Sequence, residues 1–249
     1  MASTTETGHA KNVANFEQLT IDCTALGTTY NPSNPLIKLT ALTAQLTSAK
    51  SNIAAVNTAH AANSNAIAAR DVVFSPLSKL STRILNSLKA SGTTVQVDDS
   101  AQTLVRKLQG RRATAKLKDE EKKTAEAAGK SVTEISSSQM SFDNRLDNLD
   151  KFIKLLTSVT LYAPNEADLK VASLTATYND LKAKNLAVVN SETALTNARI
   201  ARDVVMYADN TGMVDISVDV KSYVKSIYGA TSPQYKQISK LKFTSRKKK

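Results

Sequence analysis

Residues 30–73, YNPSNPLIKLTALTAQLTSAKSNIAAVNTAHAANSNAIAARDVV, and residues 162–205, YAPNEADLKVASLTATYNDLKAKNLAVVNSETALTNARIARDVV, decide the reading of this chain. Set one over the other at a separation of 132, they agree at 17 of 44 positions without a gap. The matches begin at Tyr30/Tyr162 and Pro32/Pro164 and end at Arg70-Asp71-Val72-Val73 over Arg202-Asp203-Val204-Val205. Two merely Ala-rich helices would not hold one register over that length, so the stretches read as an internal duplication.

Each copy then has the same plan. A first helix is expected at about 11–28 (Val13, Phe16, Leu19, Leu26) and at about 142–160 (Phe142, Leu146, Leu149, Phe152, Ile153, Leu156), from apolar spacing of three and four. A turn follows at Tyr-x-Pro, because the residue before proline is pushed out of the helical region. Tyr30 and Tyr162 read as packed tyrosines with hydroxyls bonded to backbone, rather than as catalytic phenols. Then comes a helix of about 40 residues, 35–74 and 166–207, free of internal Pro and Gly. Asn34-Pro35 suits a capped helix start, and Asn165 with Glu166 and Asp168 suits the second. Its expected seam runs Leu39, Leu42, Leu46, Ala49, Ile53, Val56, and Val171, Leu174, Tyr178, Leu181, Asn185, Val188. It continues as a stripe of Ala55, Ala62, Ala66, Ala69 and Val73, matched by Ala187, Ala194, Ala198, Ala201 and Val205. Asn65 and Asn197 lie beside the stripe, as seam amides or as exposed residues. A third helix is expected at 77–91 and 214–228, stopped by Gly92 and Gly229. Matching Leu85 and Leu88 to Val224 and Ile227 requires about seven extra residues in the second copy.

Composition agrees with an all-α fold: 33 Ala, only 7 Gly and 5 Pro, no Trp and one Cys in 249 residues. The expected architecture is two tandem homologous helical repeats in an elongated bundle, 1–112 and 131–249, joined by a charged linker or exposed helix at 113–130. Collagen-like, disulfide-stapled and Gly/Pro-rich β architectures are excluded. Cys23 has no partner for an internal disulfide. No basic and apolar leader opens the chain and no run approaches the roughly 18 apolar residues of a membrane span. The expectation is a cytoplasmic protein without stable membrane insertion.

The charge is not spread evenly. The net charge is +11, and segments 101–130 and 236–249 carry +5 and +7 of it. Each repeat therefore ends in a basic element, with Arg106, Lys107, Arg111 and Arg112 in the first and Lys240, Lys242, Arg246, Lys247, Lys248 and Lys249 in the second. These cations are the candidate site for nucleic acid or an acidic partner, since Lys and Arg neutralise phosphates without reading sequence. Aromatic support is thin, with only Phe243 in the tail. Arg70-Asp71 and Arg202-Asp203 read as structural polar groups, ion pairs or helix-end networks.

No reaction is written in the motifs. GxGxxG, GxxxxGK[ST], GxSxG and HExxH are all absent. His60 has no companion at metal-ligand spacing and faces Glu192 in the second copy, so neither metal nor cofactor is expected. The functional expectation is a non-enzymatic helical scaffold or assembly subunit, acting on a protein partner or by self-association. The alternative is a sequence-nonspecific nucleic-acid-associated protein using 104–118 and 236–249.

Overall fold

The computed structural model describes residues 8–111 and 140–245. The 113–130 linker, Arg112 and Arg246 to Lys249 lie outside the described residues. Among the described residues all regular structure is helical: α1 (His9–Ala25), α2 (Leu39–Phe74), α3 (Leu77–Ala90), α4 (Val95–Leu108), α5 (Phe142–Ser158), α6 (Val171–Tyr207), α7 (Met213–Tyr228) and α8 (Pro233–Ser239).

The two long helices begin later than the sequence suggests. A single 3-10 turn, Pro35–Ile37 or Ala167–Leu169, comes first, and Lys38 and Lys170 are extended. The cause is the preceding tyrosine. The Tyr30 hydroxyl donates to the Ile37 carbonyl at 2.7 Å, and the Tyr162 hydroxyl donates to the Leu169 carbonyl at 2.8 Å. That carbonyl is thereby held out of a helical ladder, and Ile37 and Leu169 are buried beneath the turn. Asn34 accepts from the Leu36 N–H at 2.9 Å, with Pro35 in the first turn. Asn165 makes no such cap, and the second start has no capping side chain.

The chain divides into two compact units, otherwise than at the repeat bounds 1–112 and 131–249. The first holds residues 1–63 and 191–249, the second 64–190. Each has its own core. In the first, Val13, Phe16, Leu19 and Cys23 of α1 pack with Leu42 and Ala49 of α2, Met206 of α6, and Met213, Ile216, Val220 and Val224 of α7. In the second, Leu149, Phe152 and Leu156 of α5 pack with Leu174 and Leu181 of α6, Leu77, Ile84 and Leu88 of α3, and Val105 and Leu108 of α4.

Buried positions in the two units correspond closely. Val13, Phe16, Leu19 and Cys23 in α1 stand where Leu146, Leu149, Phe152 and Leu156 stand in α5. Leu77, Ser81, Ile84 and Leu88 in α3 match Met213, Ser217, Val220 and Val224 in α7, at a separation of 136. Both buried serines donate to a carbonyl three residues back, Ser78 and Val214. This register needs four extra residues after α6, not the seven read from Leu85 and Leu88. They fall in the turn at 208–212, where Gly212 approaches the Ala208 backbone too closely for a Cβ.

The alanine stripe is a correction. Ala55, Ala62, Ala187, Ala194 and Ala201 are exposed, as are Asn65 and Asn197, Ala66, Ala69 and Ala198 are half-buried, and Val188 and Leu195 are buried. Alanine loses little by facing water and has the highest helix propensity, so its abundance here maintains long helices rather than close packing. The seam of larger residues before it does turn inward: Leu42, Ala49, Leu174, Leu181, Asn185 and Val188 are buried.

Phe16 and Phe152 are fully buried, one in each core. Phe16→Ala and Phe152→Ala should each lower the unfolding free energy by about 3–5 kcal/mol, read by urea denaturation followed by circular dichroism.

Candidate functional sites

The basic elements are folded parts of their units. In α4, Ala101, Val105 and Leu108 are buried, which leaves Arg106 and Lys107 half-buried between them and Arg111 exposed past the helix end. In the second element Ile238 is buried, Leu241 and Phe243 pack on the same core, and Lys240 and Lys242 are exposed. The chain after α8 is clamped to α1. Asn12 donates to the Thr244 carbonyl and accepts from the Thr244 N–H, both at 2.9 Å. Asn15 donates to the Lys242 carbonyl at 2.6 Å, and Lys221 donates to the Leu241 carbonyl. Phe243 meets Phe16 edge-on at 6.4 Å, with the Lys221 ammonium 5.1 Å from its ring. Residues 241–244 therefore form a docked strap rather than a free tail. Burial among these groups lowers the Lys221 pKa. Nothing in the sequence pattern marked Asn12 for this task.

The two Arg-Asp motifs do different work. Arg202 pairs with the neighbouring Asp203, Nε at 3.0 Å and Nη2 at 2.7 Å, with both side chains mostly buried. Arg70 instead lays its guanidinium 3.7 Å from the centroid of Phe142 and donates to Asn185 at 3.3 Å, while Asp71 is exposed. Asn185 in turn donates to Asp143 at 2.8 Å. Phe142 meets Phe74 edge-on at 4.8 Å, and the Arg145 guanidinium stands 5.1 Å from the Phe74 ring while donating to the Phe74 carbonyl. Two cations and two rings thus alternate, a cation–π arrangement in which each guanidinium faces a ring's negative charge. Desolvation lowers the Arg145 pKa. The position of Phe142 is held in the first unit by His9, which shares a 2.9 Å hydrogen bond with the Tyr207 hydroxyl. The sequence reading missed this cluster because Phe142 and Arg145 belong to another copy than Arg70 and Phe74.

The Tyr-x-Pro turns differ in what lies against them. In the first unit the Tyr223 ring meets Tyr30 edge-on at 5.3 Å, and its hydroxyl accepts the Asn31 N–H at 3.1 Å. In the second, a cavity of about 530 Å³ lies against Tyr162, lined by Arg83, Asn86, Ser87, Ala90 and Pro164 among others. At its rim Arg83 grips Asp168 with two hydrogen bonds, 2.5 and 3.2 Å. Both partners are exposed, and Arg83 holds the Asp168 carboxyl below the usual range. Cys23 is buried and its thiol is pushed up to about 12, mainly by desolvation, so it is no nucleophile at neutral pH. His60 is exposed, and no cluster of metal-ligating side chains occurs among the described residues.

Comparison of the chain with protein-family models, with curated proteins and with solved structures finds no match. No described helix is long and apolar enough to cross a membrane.

Burial pushes the Tyr162 phenol up to about 12, against about 10 for an unperturbed tyrosine. The folded state holds this proton more tightly than the unfolded chain. The resulting stabilisation is therefore complete below pH about 10 and is lost as pH rises toward 12. Tyrosinate absorbance should show a late-ionising step near pH 12 that Tyr162→Phe removes. Loss of the buried hydroxyl bond should also cost about 1 kcal/mol at neutral pH.

Proposed function

We propose that the chain is a non-enzymatic helical interaction protein, built of two tandem homologous repeats and acting by self-association. The observation that supports self-association is apolar surface left on the long helix α6. Ile200 and Val204, one turn apart, are 57% and 58% exposed in the first unit. Leu186 and Val189 are 56% and 52% exposed in the second. Pairs at this spacing share a helix face. Large side chains set together in water are the material of protein–protein contacts, where singly scattered ones are not. The repeat reading is supported by the matched buried positions of α1 with α5 and α3 with α7, and by the two identical tyrosine bonds. A lone Cys23 suits a reducing compartment, so the cytoplasm is the proposed setting.

Sedimentation velocity tests this directly. The wild-type chain should self-associate at micromolar concentration, and Ile200→Lys with Val204→Lys should weaken association by about tenfold or more with helicity unchanged. A monomer at about 100 µM overturns the reading.

A second reading, nonspecific binding of nucleic acid, is favoured by one observation: in both basic elements the apolar residues turn inward and Arg111, Lys240 and Lys242 outward. Cutting the chain before Ile238 would also strip core residues, so charge reversal is the cleaner probe. On this reading Arg106→Glu with Lys107→Glu, and Lys240→Glu with Lys242→Glu, each weaken binding to DNA and RNA and flatten its salt dependence. No binding by the wild type at about 50 mM salt removes it.

A further inference from the structure

We propose that the cavity beside Tyr162 binds a p-hydroxyphenyl group, a phenolic ring carried by a small molecule or by a tyrosine side chain. The inference rests on a comparison inside the chain and goes beyond the self-association reading. Both units build the same turn, in which a buried tyrosine donates its hydroxyl to the carbonyl seven residues on. In the first unit the turn is completed by a phenol: Tyr223 of α7 sets its ring perpendicular to Tyr30, at 87° and 5.3 Å, and its hydroxyl accepts the Asn31 N–H. In the second unit the matching residue of α3 is Ser87. It precedes buried Leu88 as Tyr223 precedes buried Val224, and it follows buried Ile84 as Tyr223 follows buried Val220.

The ring is therefore missing from the second unit, and the space has not closed. Ser87, Ala90, Tyr162 and Pro164 line a cavity of about 530 Å³ there, within the range of small-molecule sites. Its tyrosine lines the cavity and bonds its hydroxyl to the Leu169 carbonyl as Tyr30 bonds to Ile37, and edge-to-face contact is the preferred meeting of such rings. Asn86, Ser87 and Asn165 add polar side chains to the wall, which a hydroxyl can use and a hydrocarbon ring cannot. Tyr223 is thus an internal likeness of the ligand's ring; the N–H that matches Asn31, that of Ala163, donates to the Leu161 carbonyl at 3.0 Å, so a bound hydroxyl would pair with the side chains of Asn86, Ser87 or Asn165 instead.

The test is titration of the full chain with p-cresol, followed by amide chemical shifts. Saturable shifts are expected at Ser87, Ala90 and Tyr162, with toluene binding about fivefold weaker or worse, since it leaves the polar wall unpaired. Ser87→Tyr, which installs the missing ring, should weaken p-cresol by about tenfold or more and leave melting no lower than wild type. If that variant does not fold, Ala90→Phe at the exposed rim should give the same loss. A capped tripeptide with central tyrosine distinguishes the source: tighter binding than p-cresol assigns the site to a tyrosine side chain, weaker binding to a free phenol. No saturable shift up to about 10 mM p-cresol, or shifts unaltered by both substitutions, overturns the proposal.

Discussion

Helix length is the constraint on which the rest depends. At 1.5 Å per residue, α2 and α6, with 36 and 37 residues, rise about 55 Å. That is nearly twice the roughly 30 Å diameter of a small domain, so neither helix can be spent on one core. The first unit takes 39–63 of α2 and 191–207 of α6, and the second takes 64–74 and 171–190. Each core therefore draws on residues from both 1–112 and 131–249. The short helices obey the same division: α1 of the first copy shares a core with α7 of the second, and α5 of the second with α3 and α4 of the first.

The two units differ in their polar details. The same tyrosine bond starts both long helices, but one turn is filled by Tyr223 and the other faces a cavity. The same Arg-Asp motif closes both, but Arg202 holds Asp203 while Arg70 stacks on Phe142. The position just before the matched buried positions of the helix, Arg145 in α5, is Asn12 in α1, which holds the chain at Thr244 instead of a carbonyl at Phe74. These differences leave the matched buried positions of the two units in place.

Six of the eight described α-helices, with their order, were legible in the sequence because apolar spacing reports burial directly, as at Leu146, Leu149, Phe152 and Leu156. The Tyr-x-Pro turns were legible because proline restricts its neighbour. The helices α4 and α8 were read only as basic elements, and three further things were not legible. The late start of α2 and α6 depends on a hydroxyl reaching seven residues along the chain, which no periodicity encodes. The alanines read as seam because spacing cannot separate a packed methyl from an exposed one that only favours helix. The Arg70–Phe142–Phe74–Arg145 alternation and the Asn12–Thr244 clamp join residues 68 to 232 apart in sequence. Only the fold brings such residues together.

The sharing of each core between the copies is tested most directly by expressing 1–112 and 131–249 separately and measuring helicity, mass and Cys23 reactivity, alone and mixed. Neither fragment should fold as a monomer, and mixing should restore helicity and shield Cys23. A monomeric 1–112 that unfolds cooperatively with Cys23 protected would contradict that sharing.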